Sequence, residues 1–150
     1  IDAYNEGISY SYYYSYYMPS LVSQATLESY IKSSLFDKHT LAISTTVNNK
    51  LKLIRKITKK WDWKLIKLIG ASSGYYSTLK LSPKINCNKL IENLRNRNVH
   101  IKSNIESFYD SNNFDNSIRI SVARINKTRL ETALNIIYEE VLNITKQYHS

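Results

Sequence analysis

The order of patterned segments predicts an α+β fold, with a small antiparallel or mixed sheet of three to four short strands and helices packed on one face. Three observations lead there. Apolar residues recur at three- and four-residue steps through Ile43, Val47, Leu51, Ile54 and Ile57, and again through Leu130, Leu134, Ile137, Val141 and Ile144. Between these helical stripes lie several runs with strand character, each too short to build a large parallel sheet. The chain has 150 residues, 43% of them hydrophobic, which is enough for the core of one domain and too little for two ordinary ones.

The elements follow in order. Residues 1–18 form a biased segment: seven of the thirteen tyrosines fall within the first seventeen residues, chiefly Tyr10 to Tyr17. No Lys or Arg is interleaved there, which argues against a stacking platform for single-stranded nucleic acid. The segment reads as a linker or packing arm. Pro19 and Ser20 introduce a helix carrying Leu21, Val22, Leu27 and Ile31 that stops near Ser33 and Ser34. The second helix is expected from about Leu41 to Lys60, and Trp61 and Trp63 mark the turn into a strand from Leu65 to Leu68. Gly70 to Gly74 reads as a turn, so this strand and the next, Tyr75 to Leu81, can form a hairpin. Asn86 is the expected cap of a helix carrying Leu90, Ile91 and Leu94, and Asn98 is its stop. Val99 to Ile101 reads as a brief strand, and an irregular stretch from Ser103 to Asn116 leads into the strand Ser117 to Val122. The last helix starts at Asn126 or Thr128, where Thr128 to Glu131 fits a capping box.

Composition excludes several chemistries. Cys87 is the single cysteine, so one chain holds neither an internal disulfide nor a thiolate metal cluster. His39, His100 and His149 have no Cys or carboxylate at metal-ligand spacing, and no metal site is expected. The only glycines, Gly7, Gly70 and Gly74, are too dispersed for a phosphate loop. No apolar run approaches the roughly 20 residues that span a bilayer, and a cytoplasmic protein is the expectation. The chain begins with isoleucine and its only methionine is Met18, so it is expected to be a piece of a longer polypeptide.

The formal net charge is +9, and most of it is local: eight cations lie from Lys50 to Lys67, opposed only by Asp62. Lys52, Lys56 and Lys60 follow at four-residue spacing and form a basic stripe on one helix. A solvated helix face accounts for the stripe, and a phosphate-backbone or acidic-partner surface is the alternative.

Arg119 is the candidate binding residue. In Ser117 to Val122, Ile118, Ile120 and Val122 share one strand face while Arg119 and Ser121 share the other. A planar, permanently charged fork suits a carboxylate. An edge residue in solvent or an internal ion pair would give the same pattern.

The element order, with several local sequences, resembles the C-terminal small domain of fold type I pyridoxal-phosphate proteins, the aminotransferase superfamily. The resemblance rests on Pro19-Ser-Leu-Val-Ser-Gln-Ala-Thr-Leu27 with Tyr30 and Ile31, on Asp37-Lys38-His39 before the long basic helix, on Ser73-Gly74-Tyr75-Tyr76 at a strand entry, on Asn98-Val99-His100-Ile101, and on Phe108 before the arginine strand. Ser73 departs from the family's glycine pair, and Ser103-Asn104 stands where many members carry Pro-Gly.

The resemblance implies a domain over residues 19–150 in which Arg119 binds an amino-acid carboxylate. It also implies that the pyridoxal 5'-phosphate site, with its Schiff-base lysine, belongs to a large domain of the same polypeptide outside this chain. No residue here is then catalytic, and the isolated piece is expected to hold no cofactor. Two parents are compatible: a GntR-family, MocR-type transcription regulator binding DNA through a further N-terminal domain, which the segment from Pro19 to Ala25 favours, and a stand-alone aminotransferase. Either implies a homodimeric, non-membrane protein. A basic α+β interaction module without a ligand is the remaining reading.

Overall fold

The computed structural model describes residues 20–107 and 116–147. The tyrosine-rich segment 1–18, Phe108 and His149 lie outside the described residues. The chain divides into two compact units, residues 1–42 and 43–150.

In the first unit, α1 (Leu21–Lys32) starts where the Ser20 hydroxyl accepts the Ser23 N–H at 3.2 Å. It ends at Ser33, and Ser34 takes a left-handed conformation (φ 61°) that breaks the helix from α2 (Leu35–Thr58). Tyr30 ties the break together: its hydroxyl lies 2.9 Å from Nδ1 of His39, and its ring meets Phe36 edge-on. The second helix thus begins six residues before the expected Leu41. No Gly or Pro interrupts residues 35–58, so the backbone stays helical even where the apolar stripe has not begun.

In the second unit the apolar periodicities become the core. Val47, Leu51 and Ile54 of α2 are buried, while Ile43 at the start of the stripe is exposed. Trp61 after α2 is buried and stacks on Tyr138, with ring centroids 5.1 Å apart and planes 2° apart, whereas Trp63 faces solvent. The hairpin follows. β1 (Ile66–Ile69) pairs antiparallel with β2 (Tyr76–Leu81), Ile66 opposite Leu81. Gly70 (φ 70°) and Gly74 (φ 80°) supply the positive dihedrals of the connecting turn, a conformation that costs a side chain dearly.

α3 (Cys87–Asn96) is capped by the Asn86 side chain, which accepts the Lys89 N–H at 3.1 Å, and Asn98 (φ 59°) provides the left-handed stop. The strand expected at Val99 to Ile101 falls instead at β3 (Lys102–Ser103). The reason is a hydrogen bond: the Val99 N–H closes the helix on the Leu94 carbonyl at 2.8 Å, so residues 99–101 serve as the link and the ladder begins after them. A 3-10 turn (Ile105–Ser107) follows β3, and β4 (Ser117–Ser121) returns.

The last helix, α4 (Lys127–Gln147), is capped by Asn126, whose side chain accepts the Arg129 N–H at 2.8 Å. The capping box at Thr128 therefore does not form. Asn126 stands one residue before the helix, whereas Thr128 already lies inside its first turn and its carbonyl accepts from Thr132.

Strand order is β1-β2-β4-β3, every neighbouring pair antiparallel, so β2 and β3 run parallel with β4 between them and α3 in the crossover. Leu79 and Leu81 of β2 and Ile118 and Ile120 of β4 join α2, α3 and α4 residues in one buried cluster. Tyr76, Thr78, Lys80 and Arg119 occupy the opposite face.

Polar ties brace this layer. Arg97 after α3 reaches Glu139 at 2.8 Å and Glu140 at 2.9 Å on α4, and its guanidinium is held more firmly protonated by Glu139 and then Glu140. Lys50, though on the basic helix, is buried: its ammonium donates to the Val122 carbonyl at 2.8 Å. Arg55 likewise donates to the Ala71 carbonyl at 3.0 Å. Two of the cations read as a charge run are therefore structural braces, while Lys52, Lys56 and Lys60 do face solvent.

Replacing Lys50 by methionine keeps the packed stem and removes the donor to Val122. A loss of about 1–3 kcal/mol in unfolding free energy, measured by urea denaturation, is expected. Burial also raises the Cys87 thiol above its ordinary range, against a smaller lowering from the Ser103 hydroxyl. A raised thiol value means the folded chain holds its proton more tightly than the unfolded one. The stability this confers is complete below about pH 8.5, the unfolded value, and declines as pH rises towards the folded value. Urea midpoints between about pH 7.5 and 9.5 should therefore fall more steeply in the parent sequence than in Cys87→Ala.

Candidate carboxylate-binding site

β4 is an inner strand, so Arg119 is not the solvated edge residue that the sequence alone allowed. Its backbone stands opposite Thr78 of β2 and Lys102 of β3. The side chain is half-buried, and its guanidinium lies over the Tyr76 ring, 5.1 Å from the centroid. Such stacking occupies the face of the fork and leaves its in-plane N–H groups directed outward. Nη1 donates to the Ser107 hydroxyl at 3.4 Å, and no carboxylate pairs with Arg119 among the described side chains.

Ser107 is placed by a buried polar cluster. The Asn104 side chain donates to the Ser117 hydroxyl at 3.0 Å and to the Thr78 hydroxyl at 3.3 Å. Its backbone N–H donates to the Ser117 carbonyl at 3.1 Å, and its carbonyl accepts the Ser107 N–H at 2.8 Å. Asn104 thus fastens the 3-10 turn across β4 and β2, beside the arginine. A proline-glycine pair could not make these side-chain bonds, which gives the departure at Ser103-Asn104 a structural role. Ser121, unassigned on sequence grounds, accepts the Ala123 N–H at 3.4 Å and belongs to the local turn.

Arg119 opens into a cavity of about 560 Å³, lined on its polar side by Tyr76, Arg95, His100, Lys102 and Ser121. Sequence reasoning did not gather these residues. Arg95 is on α3, His100 on the link, Lys102 on β3 and Tyr76 on β2; the β2-β4-β3 register brings Tyr76 and Lys102 to Arg119, and the packing of α3 against β3 adds the others. A signal existed in the run from Arg95 to Lys102, where Arg95, Arg97, His100 and Lys102 occur without an acidic residue. Its direction relative to Arg119 was not readable.

These residues do not by themselves fit a pyridoxal phosphate group. Holding that cofactor calls for a carboxylate at the pyridinium nitrogen and a cradle of backbone N–H groups for the phosphate. Among the described residues no acidic side chain lines the cavity, and the carboxylates of Glu139 and Glu140 are engaged with Arg97. What the arrangement offers is a positioned guanidinium for an anionic group. Among the described residues, no group of three or more His, Cys, Asp or Glu could hold a metal, and no helix is long and apolar enough to cross a membrane.

Comparison with known proteins identifies the setting. The family of aminotransferases of class I and II matches residues 7–137. No curated protein sequence matches. Among solved structures, the multiple substrate aminotransferase of Thermococcus profundus superposes with a TM-score of 0.68 at 13% identity, covering 79% of this chain and 29% of that one. Kynurenine aminotransferase of Pyrococcus horikoshii, solved with PMP, gives 0.66 at 15% identity, over 76% and 28%. LysN, the α-aminoadipate aminotransferase of Thermus thermophilus, complexed with N-(5'-phosphopyridoxyl)-L-leucine, gives 0.69 at 12% identity, over 81% and 31%. The chain spans less than a third of the length of these relatives. Its sheet order, its helices and the family match over most of its length agree: the chain belongs to the aminotransferase class I and II family and has the family's α+β small-domain fold.

Proposed function

We propose that this chain is the substrate-docking part of a pyridoxal-phosphate-dependent aminotransferase, in which Arg119 binds the carboxylate of an amino acid. One observation carries the reading: a half-buried guanidinium on an inner strand, stacked on Tyr76, with no carboxylate partner among the described side chains. Holding a charged fork in a sheet without an internal counter-ion is costly, and an anionic ligand offsets that cost. Two parallel N–H···O bonds fix the ligand's orientation as well as its position. The contribution is positioning, which supplies proximity to groups elsewhere in the protein. The lysine, the phosphate cradle and the partner subunit belong, in this reading, to the remainder of a longer homodimeric polypeptide.

A second reading makes the same domain the ligand sensor of a GntR-family, MocR-type transcription regulator. Its support is the sequence of α1, Leu-Val-Ser-Gln-Ala-Thr-Leu from Leu21 to Leu27, together with Ser73 in place of the first glycine and Ser103-Asn104 in place of the proline-glycine pair. Both readings give Arg119 the same task. They separate on whether the full-length protein transaminates or instead changes its affinity for an operator when an amino acid binds.

In the full-length protein, Arg119→Ala should weaken amino-acid binding by about 10- to 100-fold, as loss of a charge-assisted pair predicts. Uptake of pyridoxal phosphate, followed by visible absorption, should stay unchanged. Unaltered amino-acid affinity in calorimetry would remove Arg119 from the site.

A further inference from the structure

Away from the Arg119 cavity, the C-terminal half of α2 carries a surface of one charge. Between Asp37 and Glu92 the only acidic residue is Asp62. Lys52, Lys56 and Lys59 follow at four- and three-residue steps and so share a helix face, the Lys59 N–H still closing on the Arg55 carbonyl at 3.1 Å. All three are exposed, while Leu51 and Ile54 are buried behind them, and none forms an ion pair among the described residues. Lys60 and Lys64, also exposed, flank Trp63 in the turn that follows. That turn is tightly held. The Asp62 carbonyl accepts the N–H groups of Leu65 at 3.0 Å and Ile66 at 3.1 Å, its carboxylate accepts the Lys64 N–H at 2.9 Å, and its own N–H donates to the Tyr138 hydroxyl at 3.0 Å. The one carboxylate is thus directed at backbone rather than at a lysine ammonium, and the fixed turn presents Trp63 to solvent, 70% exposed.

Solvation explains the lysines alone, but it does not explain an indole held among them. From Lys52 to Lys60 the stripe runs about 12 Å. A nucleic-acid strand carries one charge for about every 3.4 Å, so roughly three or four phosphates fit along that length, whereas a compact anion would reach only a part of it. A lipid surface needs apolar side chains to bury as well as charge. Helix α2 keeps Val47, Leu51 and Ile54 in the core, and among residues 50–68 Trp63 is the only large apolar side chain exposed. Bases within a duplex are already stacked, whereas an unpaired base offers its face to an indole. We infer that the C-terminal half of α2 and the Trp63 turn form a docking surface for single-stranded nucleic acid: Lys52, Lys56, Lys59, Lys60 and Lys64 follow the phosphates, and Trp63 stacks on a base. The inference is independent of the role of Arg119.

Fluorescence anisotropy of a labelled oligo(dT) of about 12 nucleotides, within the site sizes of single-strand binders, reads this surface in the full-length protein. Log affinity should fall with log salt at a slope of about −2 to −3, as three or four contacts to a single strand predict. The triple variant Lys52→Gln, Lys56→Gln, Lys59→Gln should lose more than about tenfold in affinity at about 50 mM salt and flatten the slope by about 2. Trp63→Ala should also lose about tenfold against oligo(dT), yet keep the parent's salt slope and its affinity for a duplex of the same length, because stacking releases no counter-ions. All four side chains are exposed, so both variants should match the parent in thermal midpoint and in amino-acid binding. Absence of oligonucleotide binding at low salt, or an affinity that survives the triple variant, overturns the inference. A Trp63→Ala loss that is nil, or equal for duplex and single strand, overturns it too, as does binding to phosphatidylserine–phosphatidylcholine vesicles in place of the oligonucleotide.

Discussion

The structure turns on the position of β4 between β2 and β3. Ile118, Ile120 and Val122 are buried, and the period of two in a strand then leaves Arg119 no choice of face. A one-residue slip would put a guanidinium into the helix-covered core and two isoleucines on the open face, an exchange that costs far more than the strand's own pairing supplies. The hydrophobic effect thus aims the arginine. The guanidinium is placed by its neighbours' aversion to water, and inner-strand pairing on both sides keeps it there.

Polar bonds then set the ends of that strand. Lys50 holds the Val122 carbonyl from α2, and Arg55 holds the hairpin turn at Ala71. At the other end, the Asn116 side chain donates to the Ser82 and Ile85 carbonyls, and Asn104 binds Ser117 and Thr78. Each of these bonds is buried or partly buried, where an unmet partner is expensive, so the pairs specify one geometry more than they add stability. Under the proposed role of Arg119, a site braced in this way would meet its ligand without first having to be ordered, which saves binding free energy. The Tyr76 ring and the Ser107 hydroxyl give the guanidinium its final orientation.

Much of this was legible in the sequence, for identifiable reasons. Long stripes such as Leu130 to Ile144 and alternation such as Ile118 to Val122 are set by burial, and burial is what hydrophobic patterning records. Asn86 and Asn98 were readable because each meets a local backbone need within a few residues. The failures share a different cause. The start of α2 at Leu35 was hidden because its first turns bury little, so no stripe marks them. The displaced β3 depended on whether Val99 would close a helix or join a ladder, and local sequence permits both. The roles of Lys50 and Asn104 rest on partners 72 and 13 residues away. The cavity around Arg119 is a product of strand register and of the packing of α3 against the sheet, neither of which local sequence records.

Within the aminotransferase class I and II family, this chain carries the fold at identities of 12–15% to solved relatives. Alternation and capping, rather than particular side chains, account for such persistence. We propose that on that scaffold Arg119 receives a carboxylate, and a crystal structure of the full-length protein with an amino acid bound tests this most directly. Both α-carboxylate oxygens should lie at about 2.7–2.9 Å from the Arg119 guanidinium nitrogens, with the guanidinium still resting on Tyr76. An Arg119 paired with an acidic residue of the protein itself, and an amino-acid carboxylate held by other groups, would contradict it.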